Sequence, residues 1–281
     1  GGLHEYRKNI TIDSIVTVLS VAFYSEVEDD TELLEMLKNF IQSTQHTTIV
    51  LQKRYLKGHP SEVLVGTLNE DIFVVENGIK IKLNLLSKRN SGYFPDMKNG
   101  REFVRKNSKE KSVLNLFSYT CAFSLAASLG GASKVSNIDM SKGALSTGRT
   151  NHYLNDLNMK GISFHPYNIL KSFSRIKKKG PYDLIIIDPP TFQKGSFEAT
   201  KDYKKLIMKL PQIASEDCLL LACLNSPDLN VEFIQSLIKE LAPSFKFVSR
   251  LPNVEEFASL DEERSLKNLV FQREKLIPNI Q

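Results

Sequence analysis

The sequence predicts an α/β protein: a mostly parallel, doubly wound sheet with a small N-terminal α+β domain. Three observations carry this. After Ser91, short β-rich runs alternate with segments of helical period, the pattern of repeated βα units. Before it, Asn77-Gly78 sits between two alternating runs, and a hairpin turn needs positive φ at both such positions. The 281 residues are 41% hydrophobic and 25% charged, ordinary for a globular protein and unlike a disordered or collagen-like chain. The boundary falls near residue 90, giving a small domain over 1–90 and a larger one over 91–281.

The first domain reads in order as follows. Ser14–Phe23 is β-branched and apolar, as one strand would be. Thr31–Ile41 places Leu33, Leu34, Leu37 and Ile41 at helical spacing, with Asp30 available as a cap. Thr48–Gln52 reads as a strand, and Ile72–Val75 with Ile79–Leu83 forms the hairpin. In the second domain the expected strands are Val113–Phe117, Val135–Asp139, Ile162–His165, Leu184–Asp188, Leu219–Cys223, Phe245–Val248 and Leu269–Phe271. The expected helices are Ala122–Ser128, Lys142–Leu157, Leu170–Lys178, Lys201–Ala214 and Val231–Leu241.

Apolar stretches such as Cys218–Leu224 are far too short for a span of about 20 residues. Three cysteines and five histidines show neither a disulfide framework nor metal-ligand spacing, so no metal is expected. With no recognisable signal or transit peptide, a reducing, cytoplasmic setting is expected. The net charge is +5 and uneven: residues 1–90 carry 10 basic and 12 acidic groups, residues 91–281 carry 27 and 20. A moderately basic second domain is compatible with a polyanionic partner without requiring one.

Ligands of doubly wound sheets bind beyond the carboxyl ends of the strands, so chemistry is sought there. The first strand runs into Asn115-Leu-Phe-Ser-Tyr-Thr-Cys-Ala-Phe123, which lacks the Gly-x-Gly-x-x-Gly of dinucleotide enzymes. The second ends in Asp139-Met-Ser141. An acid about 20 residues past the first βα turn suits ribose hydroxyls; alternatively Asp139 or Ser141 caps the next helix. Asn168, after the third strand, could serve an adenine edge or act as a helix cap. The fourth strand supplies the sharpest signal, Leu184-Ile-Ile-Ile-Asp188-Pro-Pro-Thr-Phe192. Two prolines stiffen the loop that follows the acid, and Pro189, Pro190 and Phe192 offer an apolar ledge for a base or ring.

With these residues in view, the sequence resembles a class I S-adenosylmethionine-dependent methyltransferase of the large-subunit ribosomal RNA group, the RlmI/RlmK-like family. The resemblance rests on Gly92-Tyr93-Phe94-Pro-Asp96 with Arg101, on Leu114-Asn-Leu-Phe-Ser-Tyr-Thr120 with Phe123, on Asp139-Met140-Ser141 and on Asp188-Pro-Pro-Thr-Phe192; Lys201-Asp-Tyr203 also fits. It covers roughly residues 70–272. It implies a Rossmann-like seven-stranded methyltransferase fold, S-adenosyl-L-methionine as cofactor, and transfer of a methyl group to a nucleobase, with ribosomal RNA as substrate. Tyr93, Phe94, Asp96 and Arg101 would pack beside the cofactor. Asn115, Phe117, Ser118, Tyr119 and Thr120 would hold its methionine part. Asp139, with Met140 and Ser141, would hold ribose, and Asn168 and Ile169 adenine. Asp188, also at the cofactor's edge, would position the acceptor with Pro189, Pro190 and Phe192.

Three departures from the family pattern stand out. Cys121-Ala122 replaces the usual Gly-Gly, which is expected to remove positive-φ freedom and add bulk near the cofactor. Asn168 stands where an acid is usual. Many relatives carry an RNA-binding PUA domain with no clear equivalent here, so RNA recognition is expected on another surface. Other residues read more plainly. Cys223 ends the fifth strand, where cytosine-C5 relatives place a nucleophile, but here it reads as an inert packing residue. Asn225 and Ser226 read as polar groups lining a pocket. His152 reads as a helix-surface or core-edge residue, and Arg105–Lys111 and Lys177–Lys179 as solvated loop ends. Methylation of a protein or small molecule, and a non-catalytic cofactor- or RNA-binding role, remain open alternatives, as does oligomeric state, a homodimer included.

Overall fold

The computed structural model describes residues 9–26, 31–69, 71–86, 90–193, 197–257, 259 and 261–274. Asp30, the expected helix cap, lies outside these described residues. The chain divides into two compact units, Gly1–Tyr93 and Phe94–Gln281.

The first unit contains β1 (Ile10–Ile15), β2 (Val18–Phe23), α1 (Thr31–Gln42), β3 (Thr48–Lys53), β4 (Ser61–Val65), β5 (Phe73–Glu76) and β6 (Ile79–Lys82). β1 to β4 form a sheet in that spatial order, and β5–β6 form the Asn-Gly hairpin. The run expected as one strand from Ser14 is instead a hairpin, with Ile15 opposite Val18 and Val16 at φ 55 in the turn. A β-branched residue rarely adopts that conformation, so nothing in Val16-Thr17 announces a turn. α1 lays Leu37 and Ile41 on Leu19, Val21, Phe23, Ile49 and Leu51. The opposite face, Val18 and Val50, packs with Leu83 and Leu85. β2 is therefore buried on both faces and shows no alternation of polarity.

The second unit contains α2 (Lys98–Lys106), β7 (Ser112–Leu116), α3 (Ala122–Leu129), β8 (Lys134–Ile138), α4 (Lys142–Leu154), β9 (Ile162–His165), α5 (Phe173–Lys177), β10 (Tyr182–Ile187), β11 (Phe192–Gln193), β12 (Phe197–Glu198), α6 (Ala199–Ile207), β13 (Ala214–Leu224), α7 (Val231–Leu241), β14 (Phe245–Leu251) and β15 (Lys267–Arg273). Seven strands join in the order β14-β15-β13-β10-β7-β8-β9. The five from β13 to β9 are parallel, and β15 lies antiparallel between β13 and β14. The order reverses between β7 and β10, so the crevice of a doubly wound sheet opens beyond Leu116 and Ile187. β10 is buried from Leu184 to Ile187, as befits a central strand covered on both faces. The helix expected over 201–214 stops at Ile207. Pro211 then lies in a short 3-10 turn, and β13 already begins at Ala214.

Candidate active site

The loop after β7 is bent by three residues in the left-handed region, Phe117 (φ 57), Tyr119 (φ 46) and Cys121 (φ 65). Each such residue costs roughly 1–2 kcal/mol without glycine, so tertiary bonds must hold them. Ser118 N donates to Ile138 O at 3.1 Å and Cys121 N to Ser118 O at 2.7 Å. Asn151 Nδ2 donates to Thr120 O at 3.0 Å. Replacing glycine at 121 therefore does not remove the left-handed conformation, contrary to expectation. Cys121 adopts it as the residue capping α3, and its buried thiol packs with Leu145 and Phe164. Burial pushes that thiol far above its ordinary range, which keeps it protonated.

Asp139, just past β8, faces this loop. Its Oδ2 accepts from Tyr119 N at 2.9 Å and its Oδ1 from Ser141 N at 2.8 Å. The cap of α4 is Ser141, whose hydroxyl accepts from Ala144 N at 3.1 Å. Asp139 is thus a half-buried acid held at the strand end, with lone pairs beyond the two in use. Asn168 Oδ1 accepts from Lys171 N at 3.1 Å, and its Nδ2 lies 3.4 Å from Met140 Sδ. Asn168 therefore closes a turn and is not the helix cap considered as its alternative role, since α5 begins at Phe173 with Ser172 as its cap. Phe117, Asp139, Met140, Asn168, Ile169, Leu170 and Gln193 line one crevice.

The second group of residues centres on Asp188, at the carboxyl end of β10. Desolvation pushes its carboxyl up to about 7, helped by the Asp96 carboxylate and opposed by Arg101. Desolvation raises Asp96 as well, against Arg101 and its own turn's N–H groups. Arg101 is buried on α2 and donates from Nη1 to Phe94 O at 3.0 Å. The Phe94 ring leans on Tyr119 with centroids 5.8 Å apart. Pro189 is buried and Pro190 exposed. Phe192 is 65% exposed, a free apolar face beyond the acid. Thr191 holds the loop from both sides: its Oγ1 donates to Asn225 O at 2.6 Å and its carbonyl accepts from Ala199 N at 3.0 Å. Tyr93 belongs to the first unit, where its hydroxyl donates to Glu76 Oε2 at 2.6 Å.

Cys223 is buried, and its thiol is pushed far above the ordinary range by desolvation, with Asp188 and Asp96 adding to the shift. The Tyr203 hydroxyl, 3.0 Å from Cys223 O and 3.4 Å from Ile187 O, ties the ends of β13 and β10 together. Of the two residues read as pocket-lining, Asn225 is exposed and Ser226 buried. The Ser226 carbonyl accepts from Lys267 Nζ at 3.0 Å, and that buried ammonium also reaches the carbonyls of Glu263 and Ser265.

One buried polar chain lies outside the sequence reading. His152 is fully buried, not at a helix surface. Its Nδ1 lies 2.6 Å from Gly148 O, which can only accept, so Nε2 accepts from Ser124 Oγ at 2.9 Å. Ser124 Oγ in turn accepts from Asn137 Nδ2, and Asn137 Oδ1 from Asn115 Nδ2, both at 3.0 Å. Burial lowers the His152 pKa and keeps the imidazole neutral. Asn115 thus sits inside the sheet, behind the loop it opens. Only the helical spacing of Gly148 and His152 hints at the first link.

A Rossmann-like sheet with an acid at the end of its second parallel strand and an acid-Pro-Pro turn at its fourth defines the enzymes that bind an adenosine-bearing cofactor across the strand ends. The family model described as S-adenosylmethionine-dependent methyltransferase matches residues 6–272, and the chain belongs to that family. Ribosomal RNA large subunit methyltransferase I of Aeromonas salmonicida is 28% identical over 83% of this chain and 61% of its own length. Ribosomal RNA large subunit methyltransferase K/L of Shewanella sp. strain MR-4 is 39% identical over 52% of this chain and 21% of its own length. The chain thus spans less than two thirds of these relatives. The solved structure of SMU.776, described as a methyltransferase complexed with SAH, superposes with a TM-score of 0.84 at 26% identity, covering 94% of this chain and 71% of that one. The residues present suit the family's cofactor: a carboxylate with spare lone pairs for a diol, Ile169 and Leu170 as apolar neighbours for a purine, and a bent loop leading into a helix N-terminus.

Proposed function

We propose that the protein transfers a methyl group from S-adenosylmethionine to a nucleobase nitrogen of ribosomal RNA. The observation that carries this is Asp188: a carboxyl poised near 7 at the end of β10, followed by a pinned Pro-Pro turn and an exposed Phe192. The cofactor supplies an already activated methyl, so the chain's work is orientation. Asp139 holds the ribose hydroxyls, and the loop from Phe117 to Thr120 surrounds the methionine end. Met140 and Ile169, which line the same crevice, would lie beside the adenine, and Asn168 would serve its edge. Phe192 and Pro190 give the acceptor base a face to stack on, while the buried Pro189, unlike the exposed ledge member expected from sequence, only stiffens the turn. Asp188 would accept a hydrogen bond from the acceptor's N–H and take up the proton released as the methyl–nitrogen bond forms and the methyl–sulfonium bond breaks, leaving S-adenosylhomocysteine.

The relatives named for ribosomal RNA methylation support the substrate class. Nitrogen is favoured over carbon because attack through a pyrimidine adduct needs an accessible thiolate, and the thiol at the relevant strand end, Cys223, is buried and protonated. The test is mass spectrometry of ribosomal RNA nucleosides from a strain lacking the gene, with and without complementation. One N-methylated nucleoside should vanish and return. An unchanged nucleoside profile contradicts the reading.

A further inference from the structure

The basic excess of the second domain is concentrated in one stretch. Residues 131–180 hold nine Lys and Arg against two carboxylates, Asp139 and Asp156, whereas the remainder of 91–281 balances at eighteen each. The fold gathers this stretch at one edge of the sheet, because among the described residues β9 is the terminal strand, beside β8. There, cations and aromatic rings interleave. The Arg149 guanidinium lies over the Phe164 ring at 4.7 Å, and Arg175 over Tyr167 at 5.2 Å. Tyr167 in turn stacks on His165, centroids 5.2 Å apart and planes 18° from parallel.

Lys134 and Lys179 extend the cationic stripe, Lys134 Nζ donating to Lys179 O at 2.5 Å. Arg149 and Arg175 are exposed. Among the described residues, Arg149, Arg175, Lys171 and Lys179 form no ion pair. Among the described residues Asp139, whose two side-chain hydrogen bonds come from Tyr119 N and Ser141 N, forms no ion pair with them. The cations act together: after desolvation, Lys179, Arg149 and Lys134 are what depress the His165 imidazole. A guanidinium held over a ring face can still present N–H donors to a phosphate, to which its fork binds bidentately.

We infer that the β9 edge, through Arg149, Arg175, Lys171 and Lys179, is a docking surface for the phosphate backbone of the RNA substrate. The inference rests on the RNA reading above. The edge begins at the crevice itself, since Asn168 and Ile169 follow Tyr167 directly. RNA running along it would pass the mouth of the site. The sequence reading, which treated Lys177–Lys179 as solvated loop ends, did not see the edge because Arg149 on α4 and the ring-bearing residues of β9 join the cations around α5 only in the fold.

The test is fluorescence anisotropy with a labelled transcript of large-subunit ribosomal RNA, titrated at several salt concentrations. Arg149→Glu/Arg175→Glu should weaken binding at least about tenfold and reduce the slope of log K against log salt by about one per lost phosphate contact. Calorimetry with S-adenosylhomocysteine should give unchanged affinity, showing that the fold and crevice persist. Lys239→Glu/Lys246→Glu, on α7 and β14 at the opposite edge, matches the charge change and should have a much smaller effect. Equal losses in the two pairs would reduce the effect to net charge and overturn the inference. So would unchanged RNA binding in the first pair. If the native protein does not bind the transcript at all, the RNA reading itself fails.

Discussion

The Cys121 thiol occupies the space above Gly148: a Cβ built on that glycine would lie 2.5 Å from Sγ and 3.0 Å from the Cys121 Cβ. The helix glycine and the loop cysteine are therefore one packing unit, joining α4 to the bent loop after β7. Gly148→Ala should destabilise the protein by forcing the loop off the helix. Cys121→Gly relieves the left-handed strain but leaves a void against Leu145 and Phe164. The double variant puts a methyl where the thiol was. It should be more stable than the sum of the single changes by about 1–3 kcal/mol, a coupling typical of contacting residues. Urea denaturation of all four proteins measures it, and additive effects would contradict the packing relationship.

Asp139 is expected to control cofactor affinity in two ways. Asp139→Ala removes acceptors for ribose and also releases Tyr119 N and Ser141 N. Charge-assisted hydrogen bonds are worth roughly 1.5–3 kcal/mol each, so S-adenosylhomocysteine binding should weaken at least about tenfold. Calorimetry checks this. Retained affinity would move the ribose elsewhere.

Asp188 should oppose stability while serving function. Its folded pKa, about 7, lies above the ordinary carboxylate value of 3.8. The folded state therefore holds the proton more tightly than the unfolded one, and the stability this gives is lost as pH rises from the ordinary value through about 7. Asp188→Asn, a neutral isostere, should match the native melting temperature in acid and exceed it above pH 7. Methyl transfer should be nearly abolished at every pH. The native enzyme's transfer rate should rise with pH through the same range. A variant less stable than the native protein in alkali would contradict the burial of an unfavourable charge.

Cys223→Ala should keep most of the methyl-transfer activity, because the thiol is buried and its backbone carbonyl, not its sulfur, is what Tyr203 bonds. Loss of activity together with a denaturation-resistant adduct on 5-fluoropyrimidine RNA would instead establish a cysteine mechanism.

How much of this was legible in the sequence depended on whether a signal was local. Leu184–Ile187 before Asp188-Pro-Pro is a buried strand meeting two residues that cannot continue it, and the central strand with the position of Asp188 at its end follows from that run. The βα alternation after Ser91 was equally local. What escaped was set by contacts distant in sequence. Val16 turns a hairpin without turn chemistry, and Cys121 holds a conformation that favours glycine because α4 supplies the partner. His152 is buried by Ser124 and Gly148, and no periodicity separates it from a surface histidine. The family resemblance proposes the cofactor residues, and the fold adds how Asp139, Arg101 and Thr191 are held.

The most direct test of the central claim is transfer of radiolabelled methyl from S-adenosylmethionine to large-subunit ribosomal RNA taken from a strain lacking the gene. The account predicts label in RNA, released on digestion as an N-methylated nucleoside, with the native protein and almost none with Asp188→Ala. Label found in protein and absent from RNA, or equal incorporation by the Asp188→Ala variant, would contradict it.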